Sequence, residues 1–162
     1  MSRSPLFGTG TFSSTASLRR PLGVTLLTAY DAVMIGIVPA AVAMVHFFLT
    51  EPAGRPPTLH ILSTLLLSGA VLWAAAGTRA GESGTRYGLV TLATLYYVGL
   101  MFGAPYTVDL AGLIYSDGSV METALRVGRS AFWIVLHGWY LLAEPTQDFF
   151  EERSNRLSML SD

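Results

Sequence analysis

The sequence predicts an all-α integral membrane protein, a four-helix bundle made of two parallel-repeat helical hairpins, with a short C-terminal amphipathic helix. Hydrophobic residues make up 51% of the chain and charged residues 13%, against about 25% charged in soluble domains. Long apolar segments alternate with short turns, and part of the sequence repeats at a fixed offset. A bilayer would cover the apolar surface that one small core cannot hide.

The first element, residues 22–49, is longer than the roughly 20 apolar residues that a straight span requires. We therefore expect it to tilt or kink, and Pro39 supplies a cause. The other three predicted spans follow the first. They cover residues 59–76, 87–106 and 124–143. The third span either continues past Pro105 to Tyr115 or ends there and leaves 106–115 at the outer interface.

These spans define three predicted parts of the chain. Residues 1–19 are a flexible arm, residues 20–143 the membrane domain, and residues 144–162 an interfacial tail. Arginines orient the domain because positive charge accumulates on the cytoplasmic side. With both termini cytoplasmic, that side would hold Arg3, Arg19, Arg20, Arg79, Arg86, Arg153 and Arg156, against Arg55, Arg126 and Arg129 outside. We therefore expect a prokaryotic cell-membrane protein with both termini inside.

A stretch near the first predicted span returns 66 residues later in the chain. Arg20–Tyr30, RPLGVTLLTAY, matches Arg86–Tyr96, RYGLVTLATLY, and the same offset pairs Pro39 with Pro105 and Trp73 with Trp139. An even number of spans separates the copies, so the repeat is parallel, with a pseudo-twofold axis along the membrane normal. Chance similarity between apolar segments is the alternative, and the matched Arg, Thr, Tyr, Pro and Trp residues weigh against it.

Small residues recur along the first and third spans at helical spacing. Such stripes let helix backbones approach in lipid, and they would face either a neighbouring helix or a partner subunit. The predicted packing positions are Ala32, Gly36, Ala40, Gly99 and Gly103. Aromatic residues near span ends are expected interfacial anchors. These are Trp73, Tyr87, Trp133, Trp139 and Tyr140.

Asp31 carries the largest free-energy cost of membrane insertion in the predicted domain, because an ionised Asp at the centre of a membrane helix costs roughly 2.5–3.5 kcal/mol. Counting the rise per residue places His137 at a similar depth, with Tyr96 or Tyr97 close by. We therefore predict an intramembrane polar layer of these four residues. It would be a structural clasp, a proton or ion site, or a partner contact.

A second polar cluster is predicted near the outer face, where Arg126 and Arg129 lie one turn apart and Glu122 precedes them. The arginines would either pair with carboxylates or extend to lipid headgroups. Anion or headgroup binding is the functional interpretation.

The C-terminal segment begins with Glu144-Pro145, a helix breaker. Beyond it Phe149, Phe150 and Leu157 lie toward one side of a possible helix. We predict an amphipathic helix at the membrane interface, with a partner protein as the alternative target.

The ends of the membrane domain resemble those of small four-span prokaryotic membrane proteins of uncharacterised activity. These begin Arg-Pro-x-Gly-Val, as does Arg20–Val24, and close with an aromatic–apolar run, Pro and Phe, as in Trp139–Phe150. The resemblance implies the fold and topology, and it brings no activity or site residue. Asp31 departs from that pattern.

Composition and motifs narrow the classes of function. Net charge is −1, so no basic field favours nucleic acid. The absence of Cys excludes thiolate and iron–sulfur chemistry. No catalytic motif is present, so we expect no enzyme. His46 and His60 flank the first outer turn, where two histidines at one level could ligate a haem, but we expect no cofactor and no metal.

The leading functional expectation is a non-catalytic membrane subunit that packs against and stabilises or regulates a larger membrane protein complex. Its partners would be membrane lipids and other membrane subunits or further copies of itself. One alternative is a small oligomeric transporter or channel. A second is a cofactor-holding subunit of an electron-transfer or light-harvesting complex.

Overall fold

The computed structural model describes residues 20–50, 57–104, 107 and 120–159, and all regular structure within these ranges is helical. Five helices follow one another. They are α1 (Leu22–Leu49), α2 (Thr58–Ala80), α3 (Ser83–Phe102), α4 (Val120–Leu141) and α5 (Glu144–Met159). The predicted N-terminal arm, Pro105 and residues 108–119 lie outside the described residues.

Two helices are long and apolar enough, by length and composition, to cross a membrane. They are α1, with 28 residues and a mean hydropathy of 2.3, and α2, with 23 residues and a mean hydropathy of 1.8. The outside of the bundle also carries large apolar side chains. Trp73 is 67% exposed and Trp139 is 71% exposed. These features indicate association with a membrane.

Helix α1 is irregular at its middle, close to the predicted kink at Pro39. Its residues Ala32–Ile37 form a π-helix between two α-helical stretches. Proline has no backbone N–H, so the Ile35 carbonyl four residues earlier lacks its α-helical donor. Ser68 of α2 supplies one, because its Oγ donates to Ile35 O at 3.4 Å. The wider turn thus accommodates the proline inside one continuous helix.

Gly36 lies in the same π-helical segment and permits close packing of α1 on α2. A Cβ at this position would lie 2.7 Å from Cδ2 of Leu72. The predicted small-residue stripe on the first span therefore faces a helix of the same chain at this residue. Gly99, predicted to pack in the same manner, is also buried.

Helix α3 ends at Phe102, earlier than the predicted boundary at residue 106. Gly103 adopts φ 66°, its N–H donates to Leu100 O at 3.3 Å, and the Ala104 N–H donates to Gly99 O at 2.8 Å. This pair of bonds is a Schellman motif, which needs a left-handed residue that glycine tolerates best. Gly103 is exposed and acts as a C-cap, so within the described residues it does not pack against a neighbouring helix.

The core is shared by all five helices and lies along the axis of the bundle. Each of α1, α2 and α3 packs beside the next helix in sequence, whereas α1 and α4 meet at fewer positions. The fully buried members of the core are Val24, Val71, Ala74, Leu89, Ala93, Leu141 and Phe150.

Helix α5 folds back onto this core. Phe149 is 6% exposed and Phe150 is fully buried, whereas the sequence places both at the membrane interface. Their burial corrects that expectation, because the apolar side of α5 covers the bundle. The Leu157 side chain lies outside the described part of the structure.

Candidate functional site

Asp31 and His137 meet at the centre of the bundle. His137 Nε2 lies 2.8 Å from Asp31 Oδ1 and 2.9 Å from Oδ2, and both side chains are fully buried. Asp31 is the last α-helical residue of α1 before the π-helical segment. The contact therefore joins the first helix to α4 across a separation of 106 residues.

The second ring nitrogen of His137 is also engaged. Nδ1 lies 2.7 Å from the carbonyl oxygen of Trp133, one turn earlier on α4. A carbonyl oxygen only accepts, so Nδ1 must carry a hydrogen. Nε2 and the Asp31 carboxyl group then share one further proton. The pair is either an imidazolium with a carboxylate or a neutral imidazole with a carboxylic acid, and its net charge is zero in both forms.

Aromatic rings enclose this pair. Tyr30 stacks on Trp133 with ring centroids 4.2 Å apart, and the Tyr97 centroid lies 5.8 Å from that of His137. Tyr96 meets Tyr97 edge to face at 5.5 Å. Of the two tyrosines in the predicted polar layer, Tyr97 therefore lies against the pair, and Tyr96 lies behind Tyr97.

The chemistry open to this Asp–His pair follows from its enclosure. Both ring nitrogens and both carboxylate oxygens bond to groups of the chain. Neither residue lines the two grooves described below. The arrangement can fasten α1 to α4 and hold one shared proton, and neither side chain has a surface open to a substrate.

Threonines near the pair do not extend the polar layer. Thr28 donates to Val24 O at 2.7 Å, and Thr91 donates to Tyr87 O at 2.9 Å. Both hydroxyl groups therefore bond to the preceding turn of their own helix.

The sequence did not predict the roles of two aromatic residues of this site, Tyr30 and Trp133. Trp133 was expected to be an interfacial anchor, yet it is half-buried and stacks on Tyr30. Two signals were available, because Tyr30 adjoins Asp31 and Trp133 lies four residues before His137, on the same helix face.

The predicted outer cluster lies on one face of the first turns of α4. Glu122, Arg126 and Arg129 are all half-buried, and their spacing puts them on one side of the helix. Glu122 and Arg129 both have interaction partners. Arg126 Nε is shielded and has no hydrogen-bond partner among the residues that the structure describes.

Arg86, predicted to lie on the cytoplasmic side of the membrane, is buried within the bundle. It is 3% exposed, and its Nη2 donates to the Tyr87 hydroxyl at 2.7 Å. Its guanidinium carbon lies 4.6 Å from the Tyr87 ring centroid and 5.0 Å from that of Phe150. Such cation–π contacts stabilise a desolvated guanidinium, so Arg86 joins α3 to α5.

The remaining histidines lie apart from the Asp–His pair. His46 is exposed near the end of α1, and His60 is half-buried in the first turn of α2. Within residues 20–50, 57–104, 107 and 120–159, no group of three or more His, Cys, Asp or Glu side chains is placed to hold a metal ion.

In the part of the chain that the structure describes, the fold is all-helical, with two helices long and apolar enough to span a membrane and a buried Asp–His pair. Comparison with known protein families, curated proteins and solved structures finds no significant match for this chain.

Proposed function

We propose that α1 to α4 all cross the bilayer and that the chain is a non-catalytic membrane subunit, which stabilises or regulates a larger complex. Helices α3 and α4 contain 20 and 22 residues. At the α-helical rise these lengths are about 30 Å or more, enough to cross the hydrocarbon core. Helix α3 also packs against α2, and α4 packs against α3.

The charges on α3 and α4 are compatible with this arrangement. Arg86 lies in the first turn of α3 beneath Phe150. Glu122, Arg126 and Arg129 lie in the first three turns of α4, where long side chains can extend to the membrane surface.

Burial at equivalent positions supports two related hairpins. At the offset of 66 residues, Asp31 corresponds to Tyr97 and Val71 to His137, and all four are buried. The polar pair therefore occupies positions that face the core in both copies.

A glycine pair on the outside of α3 carries the proposal of a protein partner. Gly84 and Gly88 lie one turn apart, and a Cβ at either would meet nothing within 4 Å. In lipid, where packing drives helix association, adjacent small residues let a second helix approach closely. The shape of this face suits the backbone of a partner helix.

Replacing Gly88 by leucine should weaken the complex without unfolding the chain. The added side chain enters open space and favours the helix, because glycine costs about 0.8–1.0 kcal/mol there. Native mass measurement after gentle solubilisation should show the wild-type chain with other subunits and the variant mainly without them.

Gly69→Leu is the matched control, because Gly69 also has open space beside it on α2 but no glycine one turn away. Equal co-isolation of wild type and Gly88→Leu would contradict the proposed interface. A pure homo-oligomer would favour the transporter or channel, and a visible absorption band would favour a cofactor-holding subunit.

Both ends of α2 provide a test of topology. The chain has no cysteine, so a single introduced thiol is unambiguous. With both termini cytoplasmic, a membrane-impermeant maleimide should label Thr58→Cys in intact cells and Glu82→Cys only after the membrane is opened. Both native residues are exposed. The reverse pattern would invert the topology, and labelling of both in intact cells would exclude α2 as a span.

A further inference from the structure

A seam between α1 and α4, which continues to the start of α5, contains two apolar grooves. The larger, of about 420 Å³, is lined by Leu26, Leu27, Tyr30, Trp133, Leu136 and Tyr140, together with Gly23. The second, of about 390 Å³, is lined by Pro21, Trp139, Tyr140, Ala143 and Thr146. Tyr140 lines both grooves, so they follow one another along the same seam.

The shape of the seam follows from its few bulky contacts. Tyr30 and Trp133 stack across it, and both line the larger groove. At Gly23 the ring of Tyr140 lies so close to the backbone that a Cβ would overlap it. The seam therefore stays open on both sides of Tyr140 and is narrow where that ring crosses.

The residue that precedes the seam in the chain is a cation. Arg20 directly precedes Pro21, which lines the second groove. Arg20 Nε is shielded and has no hydrogen-bond partner within the described part of the chain. A guanidinium group presents paired donors that match the oxygens of a phosphate group. A positive group beside a long apolar slot complements a molecule with an anionic head and a hydrocarbon chain.

We propose that the seam binds one anionic phospholipid, with an acyl chain along the two grooves and the phosphate at Arg20. Each groove has a volume within the range of about 300–1,000 Å³ that is usual for ligand sites. Leu26 is 61% exposed, so the larger groove opens sideways and a chain can enter from the bilayer. This inference rests on the proposed membrane insertion.

The test measures lipid retained by the purified full-length protein, using native mass spectrometry in mild detergent with phosphatidylglycerol or phosphatidylcholine. The wild type should keep one phosphatidylglycerol per chain and bind it about tenfold more tightly than phosphatidylcholine, as one charge-assisted hydrogen bond allows. Arg20→Gln should remove this preference. Arg79→Gln is the control, because Arg79 is exposed at the end of α2.

A second pair of variants tests the grooves. Leu26→Trp fills the larger groove and should abolish retention of both lipids. Leu62→Trp, at a residue of α2 that is 52% exposed, should leave retention unchanged. Thermal melting midpoints with and without lipid show that each variant is folded. Phosphatidylglycerol should stabilise wild type and the two controls more than phosphatidylcholine does, whereas Arg20→Gln should respond equally to the two lipids and Leu26→Trp to neither.

Three results would overturn the inference. They are wild-type retention by Arg20→Gln, wild-type retention by Leu26→Trp, and displacement of the lipid by millimolar inorganic phosphate, which would mean a site for the phosphate group alone. Protein released from membranes by an alkaline wash would contradict the proposed function itself. Protein that stays in the membrane but retains no phospholipid would overturn only the lipid site.

Discussion

Replacing His137 by phenylalanine should lower the free energy of unfolding by about 3–5 kcal/mol, the usual cost of removing one partner of a buried pair. The substitution leaves the Asp31 carboxyl group fully buried without its partner at 2.8 Å. It also frees the Trp133 carbonyl from its bond to Nδ1. Chemical or thermal unfolding in detergent, followed by loss of tertiary signal, measures the effect.

The double variant Asp31→Leu with His137→Phe should recover more than half of that loss. A buried ionisable pair replaced by apolar residues of similar size is often neutral for stability. Val71 occupies the position equivalent to His137 in the repeat and is fully buried, so an apolar side chain is accommodated at that level. Asp31→Leu alone completes the cycle and yields the coupling energy.

Thr28→Val provides the control for this cycle. Thr28 is 2% exposed, but its hydroxyl bonds to Val24 O of its own helix, so we expect a change of about 1 kcal/mol or less. If His137→Phe destabilises the chain no more than Thr28→Val, the Asp–His pair is not what fastens α1 to α4.

The contact between Asp31 and His137 could be anticipated from the geometry of single helices. An ionisable group in an apolar helix requires a partner, and the rise per residue places His137 at the same depth. The enclosing rings were harder to foresee. Whether Trp133 faces lipid or the core depends on the rotation of α4 about its axis, and the sequence alone leaves that rotation open.

Residue patterns that fit two roles account for the differences between prediction and structure. The spacing of Gly99 and Gly103 occurs in closely packed helices, and it also occurs where a helix ends in a glycine C-cap. Gly99 is buried, whereas Gly103 ends the helix with a positive φ. Pro105, two residues later, was the signal for a helix end. At Pro39 an irregularity was predictable, but its form also involves the donor Ser68 on another helix.

The tail was misplaced for a related reason. An amphipathic helix has the same pattern whether its apolar side meets lipid or protein, so Phe149 and Phe150 could not be assigned from sequence. The packing of α5 on the bundle also determines the surroundings of Arg86. Its guanidinium group is buried between Tyr87 and Phe150, so the same α5 contact closes the core and shields a cation.

Phe150→Ala should therefore destabilise the chain by about 3–5 kcal/mol, the usual cost of truncating a buried phenylalanine. The side chain is fully buried, and its loss also removes one ring from Arg86. Because the change acts where α5 meets the bundle, we expect α5 to detach before α1–α4 separate. A thiol introduced at Thr146, which is 3% exposed at the start of α5, should then react faster with maleimide, and the unfolding midpoint should fall.

Phe102→Ala is the matched control, because that phenylalanine is 83% exposed and its truncation leaves no internal cavity. It should leave both the midpoint and the reactivity of the Thr146→Cys thiol near wild-type values. Faster labelling without a lower midpoint would mean that α5 detaches without contributing to the stability of the core. Unchanged labelling and an unchanged midpoint in Phe150→Ala would show that the Arg86–Phe150 contact does not hold α5 on the bundle.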